Sequence, residues 1–246
     1  FEARRSRSAE LHGQRFDFPP PPEDGSDGMI SHDLKCIFIH IPKTAGTSIE
    51  KRLGHFDELT RGVQDHTTIR KLQPEGEKQG LMGRLTSAFQ KEEPTEEGIV
   101  TARQFRTYYK FTFVRNPWAR AVSWYRNIMS DPNHQKKHGV PADCTFPDYM
   151  KHHSDQWAMR PQTHWILDRD GNNPLDFVGR FERLEEDFAI VRDRLGLEKE
   201  PLPDLMKAPG KRPSYLDHYD PATIDLVAKR YAEEIRMFGY TFEDVE

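Results

Sequence analysis

The feature that most constrains this chain is an apolar, β-favouring run that ends at a proline and passes at once into a turn of small and hydroxyl residues. KCIFIHI, from Lys35 to Ile41, is followed by Pro42-Lys43-Thr44-Ala45-Gly46-Thr47-Ser48. A short run of this composition, bounded by a turn signal, predicts a buried strand. Thr47 to Leu53 then takes up helical spacing and opens on two hydroxyl residues suited to a helix N-terminus. The same order recurs. TYYKFTFV, from Thr107 to Val114, leads into RNPWARAVSWYRNIM, from Arg115 to Met129, with Pro117 at a favoured first-turn position. DFVGRFE, from Asp176 to Glu182, leads into LEEDFAIVRDRLG, where Leu184, Phe188, Val191 and Leu195 share one face. After Asp220 and Pro221 a last helix is predicted to run unbroken through IDLVAKRYAEEIRMFG and stop at Gly239. Strands alternating with helices predict an α/β fold with a central parallel sheet flanked by helices on both faces.

A chain of 246 residues can bury roughly 70–75% of the surface its unfolded form exposes, enough for a core without metal or disulfide staples. One domain is predicted over residues 29–246. Residues 1–28, with a basic cluster, the prolines Pro19 to Pro22, and then Gly, Ser and Asp, cannot bury enough apolar surface to offset the entropy of ordering them, and read as a disordered or stem-like tail. No apolar run reaches the ~18 residues of a membrane-spanning helix. The 36 Lys and Arg against 40 Asp and Glu give −4, which argues against binding nucleic acid through bulk positive charge but leaves room for a local cationic crevice. Cys36 and Cys144 lack CxxC spacing and read as structural thiols.

Two stretches fit the alternating pattern poorly. Residues 73–98 are polar with an amphipathic centre at Leu81, Leu85 and Phe89, and read as a solvated surface helix or a lid over a site. Residues 130–148 read as a loop carrying His134, Lys136, Lys137 and His138, either a solvated charge cluster or a set of substrate contacts.

The chemistry concentrates at the first two turns. In an α/β sheet, ligands sit at the carboxyl ends of strands, where a loop entering a helix presents unpaired N–H groups to an anion. Gly46 allows close backbone approach, Lys43 supplies a mobile positive charge, and Thr44, Thr47 and Ser48 offer hydroxyls. The order differs from the G-x-x-x-x-G-K-[ST] loop of nucleoside triphosphate binders, because Lys43 precedes Gly46 and no upstream glycine is in place. An ordinary strand-to-helix turn could carry the same letters. At the second turn, Arg115 stands at a strand end with Ser123 eight residues on, a planar fork and a hydroxyl for a second phosphate-type group. Two such sites suit a nucleotide with both a 3′-phosphate and a 5′-anhydride.

IFIHIPKTAGTSIEKRL, DHTTIRKL, YYKFTFVRNPWARAVSWY, FVGRFERLEEDF and YLDHYDPATIDLVAKRYAEEIRMFGYTF, in that order, resemble the Golgi-type carbohydrate sulfotransferases, within them the uronyl and heparan sulfate 2-O- and 6-O-sulfotransferases and their bacterial relatives. The resemblance spans roughly residues 35–242. It implies a P-loop nucleotide-kinase-like sulfotransferase fold and 3′-phosphoadenosine 5′-phosphosulfate (PAPS) as donor, with PAP as product and no metal required. Lys43, Thr44, Ala45, Gly46, Thr47 and Ser48 would hold the 5′-phosphosulfate, and Arg115 and Ser123 the 3′-phosphate. Lys211, Arg212 and Ser214 form the candidate for a late loop closing over the nucleotide, where a plain surface turn is the other reading. The acceptor would be a saccharide or other hydroxyl compound.

Sulfuryl transfer to a hydroxyl needs a base, donors for the moving group, and a cation at the leaving oxygen. Lys43 suits the last task. His66, in QDHTT, matches the position of the family's catalytic histidine and is the expected base, with Asp65 as a possible orienting neighbour. Glu50 is a minor rival as base, and His40, on the first strand, reads as a packed core histidine. Trp118, Trp124 and Tyr125 read as packing; Trp157, Gln162, His164 and Trp165 could pack or meet a sugar. Two other readings stay open: a nucleotide-dependent kinase with a degenerate P-loop, and a silent glycan- or nucleotide-binding protein. A membrane anchor ahead of Phe1 would imply a Golgi lumenal enzyme, and a start at Met29 a cytoplasmic one.

Overall fold

In the computed structural model the residues described are 30–55, 66–74, 100–203 and 213–244, together with the backbone of two three-residue strands, β1 (Ala9–Leu11) and β2 (Gln14–Phe16), which pair antiparallel apart from the main sheet. The main sheet has four strands in the order β3 (Ile30–Ser31), β4 (Cys36–Ile39), β5 (Tyr109–Val114) and β6 (Phe177–Arg180). The three strands expected from the sequence are parallel, with Ile39 opposite Thr112 and Val114 opposite Arg180. The two-residue β3 adds an antiparallel edge, so the sheet is mixed. It is too short to show a period-2 pattern.

Burial on both faces follows the pleat. Ile37 and Ile39 join one apolar cluster, with Val114, Trp118, Val122 and Tyr231; Cys36 and Phe38 join another, with Phe111, Phe113, Ile49 and Phe188. Helix α1 (Gly46–Arg52) and helix α4 (Leu184–Leu195) cover the second face, and helix α3 (Pro117–Met129) the first. A short helix, α2 (Ile69–Leu72), inserts Ile69 and Leu72 into the first cluster.

Local signals set most boundaries. Asn116 caps α3 by accepting from the N–H groups of Trp118 and Ala119, with Pro117 at the first helical position. Gly196 ends α4 in the left-handed region. Two expectations need correction. Residues 130–148 are not a loop throughout: Asp131 caps a helix at Pro132–His138, Gly139 ends it with φ +64°, and a second helix starts at Phe146. The final helix is also not continuous. It bends at Tyr231 between α5 (Pro221–Arg230) and α6 (Ala232–Phe238), because the buried Tyr231 hydroxyl donates to the Met159 carbonyl (2.7 Å) and Arg230 turns inward to Ser154 and Asp155.

Candidate active site

The chain leaves β4 at Ile39 and crosses the carboxyl end of the sheet to enter α1. Two non-glycine residues of this turn, Lys43 (φ +70°) and Ala45 (φ +66°), are left-handed, a conformation that costs an L-residue roughly 1–2 kcal/mol each. Three hydrogen bonds hold it, one from within the turn and two from outside. The Thr44 hydroxyl donates to the Ile41 carbonyl (2.9 Å), the Arg120 guanidinium to the Pro42 carbonyl (3.1 Å), and the Arg115 guanidinium to the Lys43 carbonyl (3.3 Å). With three successive carbonyls engaged, the turn has the alternating handedness of an anion-binding nest of N–H groups. Thr44 thus spends its proton on the loop itself and is fully buried. Thr47 and Ser48 lie in the first turn of α1, whose N-cap is Ala45 with no side-chain cap.

Gly46 has a requirement for glycine inside the protein, beside the close approach to a ligand expected from the sequence. A Cβ there would fall 2.0 Å from the His40 ring, so the ring packs directly against the Gly46 backbone. His40 is buried on the strand side of the loop, and its Nδ1 lies 2.9 Å from the buried Glu50 Oε1. Burial, with the Lys43 ammonium adding to it, pushes the His40 pKa down to about 3. His40 is therefore neutral, and its Nδ1–H donates to Glu50.

The His40 backbone then reaches the expected base. His66 Nδ1–H donates to the His40 carbonyl (3.0 Å), which leaves Nε2 as the acceptor nitrogen of that imidazole. The two rings are 4.2 Å apart, and Trp157 and Trp165 stand edge-on to His66 at 5.0 and 6.1 Å. Trp165 is fully buried and Trp157 half-buried. Arg70, Arg160 and His164 gather beside this aromatic pair: Arg160 Nη1 is 3.0 Å from His164 Nε2, and burial with the two guanidiniums holds His164 at a pKa of about 3. Asp65 lies outside the described residues.

Arg115, buried at the end of β5, stacks its guanidinium over the Phe181 ring at 4.0 Å. Its main chain is clamped by Gln162, whose Oε1 accepts from Arg115 N–H and whose Nε2 donates to the Arg115 carbonyl, both at 2.8 Å. Gln162 is held in turn by Glu234 of α6, which accepts from its backbone and side-chain N–H groups. Burial raises the Glu234 pKa to about 7 despite the Arg120 guanidinium, which acts the other way. Ser123 lies half-buried on α3, one turn before Arg126, whose guanidinium donates to the carbonyls of Pro213 (2.8 Å) and Ser214 (3.3 Å). Ser214 itself is exposed. The late segment is thus tied to the Ser123 helix; Lys211 and Arg212, like residues 75–99, lie outside the described residues. Among the described residues no cluster of three or more His, Cys, Asp or Glu side chains is placed to hold a metal ion, and no helix is long and apolar enough to cross a membrane.

Arg120 and Glu234 were not singled out by the sequence, and Gln162, which could pack or meet a sugar, is packed. Arg120 is 1% exposed and donates to the carbonyls of Pro42, Ala158 and Arg160, so it joins the loop to the segment that carries Trp157. Gln162 grips Arg115 and is fully buried. One signal was available, an arginine within the otherwise apolar run from Pro117 to Val122, all of which is buried. A buried arginine demands several acceptors.

Comparison with known proteins gives the family of the chain. A model of the sulfotransferase family matches residues 26–241, and the chain belongs to that family. It is 27% identical to carbohydrate sulfotransferase 14 of Danio rerio over an alignment covering 86% of this chain and 61% of that protein. It is 28% identical to carbohydrate sulfotransferase 14 of Homo sapiens, over 65% of this chain and 44% of that protein. The chain therefore spans about half the length of these relatives. A crystal structure of mouse sulfotransferase SULT7A1 complexed with PAP aligns with a TM-score of 0.45 and 13% identity, over 93% of this chain and 95% of that one.

Proposed function

We propose that the protein transfers the sulfuryl group of PAPS to a hydroxyl of a carbohydrate acceptor, with His66 as general base and Lys43 at the leaving oxygen. The observation that carries this reading is the bond from His66 Nδ1–H to the His40 carbonyl. It fixes the tautomer in which Nε2 takes a proton, on a side chain anchored to the same strand that leads into the Lys43 loop. The nested turn from Pro42 to Ser48 supports an anion at the 5′ end of the donor, and the Arg115 fork with Ser123 one at the 3′ end. The relatives named carbohydrate sulfotransferase support a saccharide acceptor.

The chemistry is an in-line displacement at sulfur. The acceptor oxygen bonds to sulfur as its proton passes to His66 Nε2, and the bond from sulfur to the 5′-phosphate oxygen breaks with its electron pair going to that oxygen. Lys43 gains interaction as this negative charge develops, so it favours the transition state over the bound ground state. Loop, arginine and histidine together supply positioning and electrostatics, which account for most of the acceleration in the analogous phosphoryl transfers.

The test incubates the protein with labelled PAPS and a panel of glycans, beside His66→Ala and Lys43→Ala. Label transfer by the wild type, lost in His66→Ala with PAP binding retained, is the expected result. Stabilisation by ATP but not by PAP would overturn the donor assignment.

A further inference from the structure

Behind the loop lies a buried pair that the reaction as described does not use. His40 is 3% and Glu50 1% exposed, and they are joined at 2.9 Å. A buried polar pair contributes little to stability against an apolar pair of the same volume, so stability alone does not account for this one. Its geometry is specific. The His40 ring supports the Gly46 backbone on one side, its carbonyl receives the His66 Nδ1–H on the other, and the two imidazoles are 4.2 Å apart.

We propose that Glu50 is a positioning residue for sulfuryl transfer: its carboxylate fixes the His40 ring and main chain that orient His66, and it is the counter-charge for the imidazolium formed when His66 takes the acceptor proton. The inference rests on His66 being the base. Among the described residues, the titratable and charged groups around His66 and Glu50 are Lys43 on the loop, His40 on the strand end, Arg70 on α2, Arg160 and His164 on the segment of Trp157 and Trp165, and His55 beside Glu50, whose pKa burial lowers while Glu50 acts the other way. Lys43, Arg70 and Arg160 are cations, and His40 and His164 are held neutral by burial. A carboxylate at Glu50 opposes this positive field, which would otherwise penalise protonation of His66. Being fixed before the substrate arrives, it requires no reorganisation during the step.

Glu50→Gln keeps an oxygen to accept from His40 and removes the charge. The expected result is a kcat lower by about tenfold or more, with the KM for PAPS and the affinity for PAP within threefold of wild type. The acid limb of the kcat/KM profile should move to lower pH, a shift that a purely structural role would not produce. Glu50→Gln retaining kcat within twofold and an unmoved acid limb, beside an inactive His66→Ala, would overturn the positioning role while leaving the base in place. An active His66→Ala would overturn both. If Glu50→Gln fails to fold, imidazole nitrogen NMR of the wild type decides: the His40 proton on Nδ1 supports the inference, and on Nε2 refutes it.

Discussion

Gln162 holds the main chain of Arg115 from both sides, accepting from its N–H and donating to its carbonyl at 2.8 Å each, across 47 residues of sequence. The guanidinium that would read a phosphate is therefore aimed by an amide whose own anchor, Glu234, lies near the end of the chain. Gln162→Leu leaves two buried backbone groups unpaired, each costing about 1–3 kcal/mol. The variant should lose at least about 2 kcal/mol in urea unfolding, and bind PAP roughly tenfold more weakly by calorimetry.

Stability should depend on pH through two effects of opposite sign. His40 and His164 titrate near 3 in the native protein, against an ordinary 6.5, so stability is lost as pH falls from 6.5 towards 3, where the unfolded chain binds protons that the native one refuses. Glu234 titrates near 7 against an ordinary 4.5, so its contribution is lost as pH rises through that window. Tm measured from pH 4 to pH 8 should show His164→Gln flattening the acid side and Glu234→Gln the neutral side. Unchanged profiles in both variants would contradict the assignment.

Arg120 is the tie between the loop and the segment of Trp157. Arg120→Met fills similar space but leaves the Pro42, Ala158 and Arg160 carbonyls without this donor. A loss of about 3 kcal/mol is expected, with PAP binding falling further than Tm alone accounts for, since Pro42 opens the nested turn. Thermal shift with and without PAP separates the two effects.

Neighbouring residues of the loop should respond in opposite directions to exchange of alanine and glycine. Ala45→Gly removes a side chain from a left-handed position and should stabilise by up to ~1 kcal/mol. Gly46→Ala drives a methyl into the His40 ring and should destabilise the protein and abolish PAP binding. Chemical denaturation of the two variants measures the difference.

Much of this was legible locally. The three parallel strands announce themselves as short β-branched and aromatic runs, and Asn116-Pro117, Gly196 and Gly239 are cap signals that act within one turn. The Asp131-Pro132 start and Gly139 stop were equally local, and weighing the charges of His134 to His138 above these caps gave a loop where a helix forms. The bend at Tyr231 was not legible, because it follows from a hydroxyl bonded to Met159, 72 residues away. The site divides the same way. The loop from Lys43 to Ser48 and the Arg115 turn are contiguous motifs, whereas the clamp from Glu234 through Gln162 is a buried network whose members share no spacing. A further requirement for glycine at position 46 was not legible, since the ring beneath it belongs to a residue six positions earlier and is brought there by the fold.

The bond from Arg115 to the Lys43 carbonyl has a thermodynamic consequence for any ligand that spans both turns. Its two phosphate ends cannot be assigned separate shares of the affinity, because engaging one end stiffens the scaffold that receives the other. Lys43→Ala and Arg115→Ala should therefore cost less in combination than the sum of their separate effects, and a fragment carrying only the 5′ group should bind more weakly than simple subtraction implies.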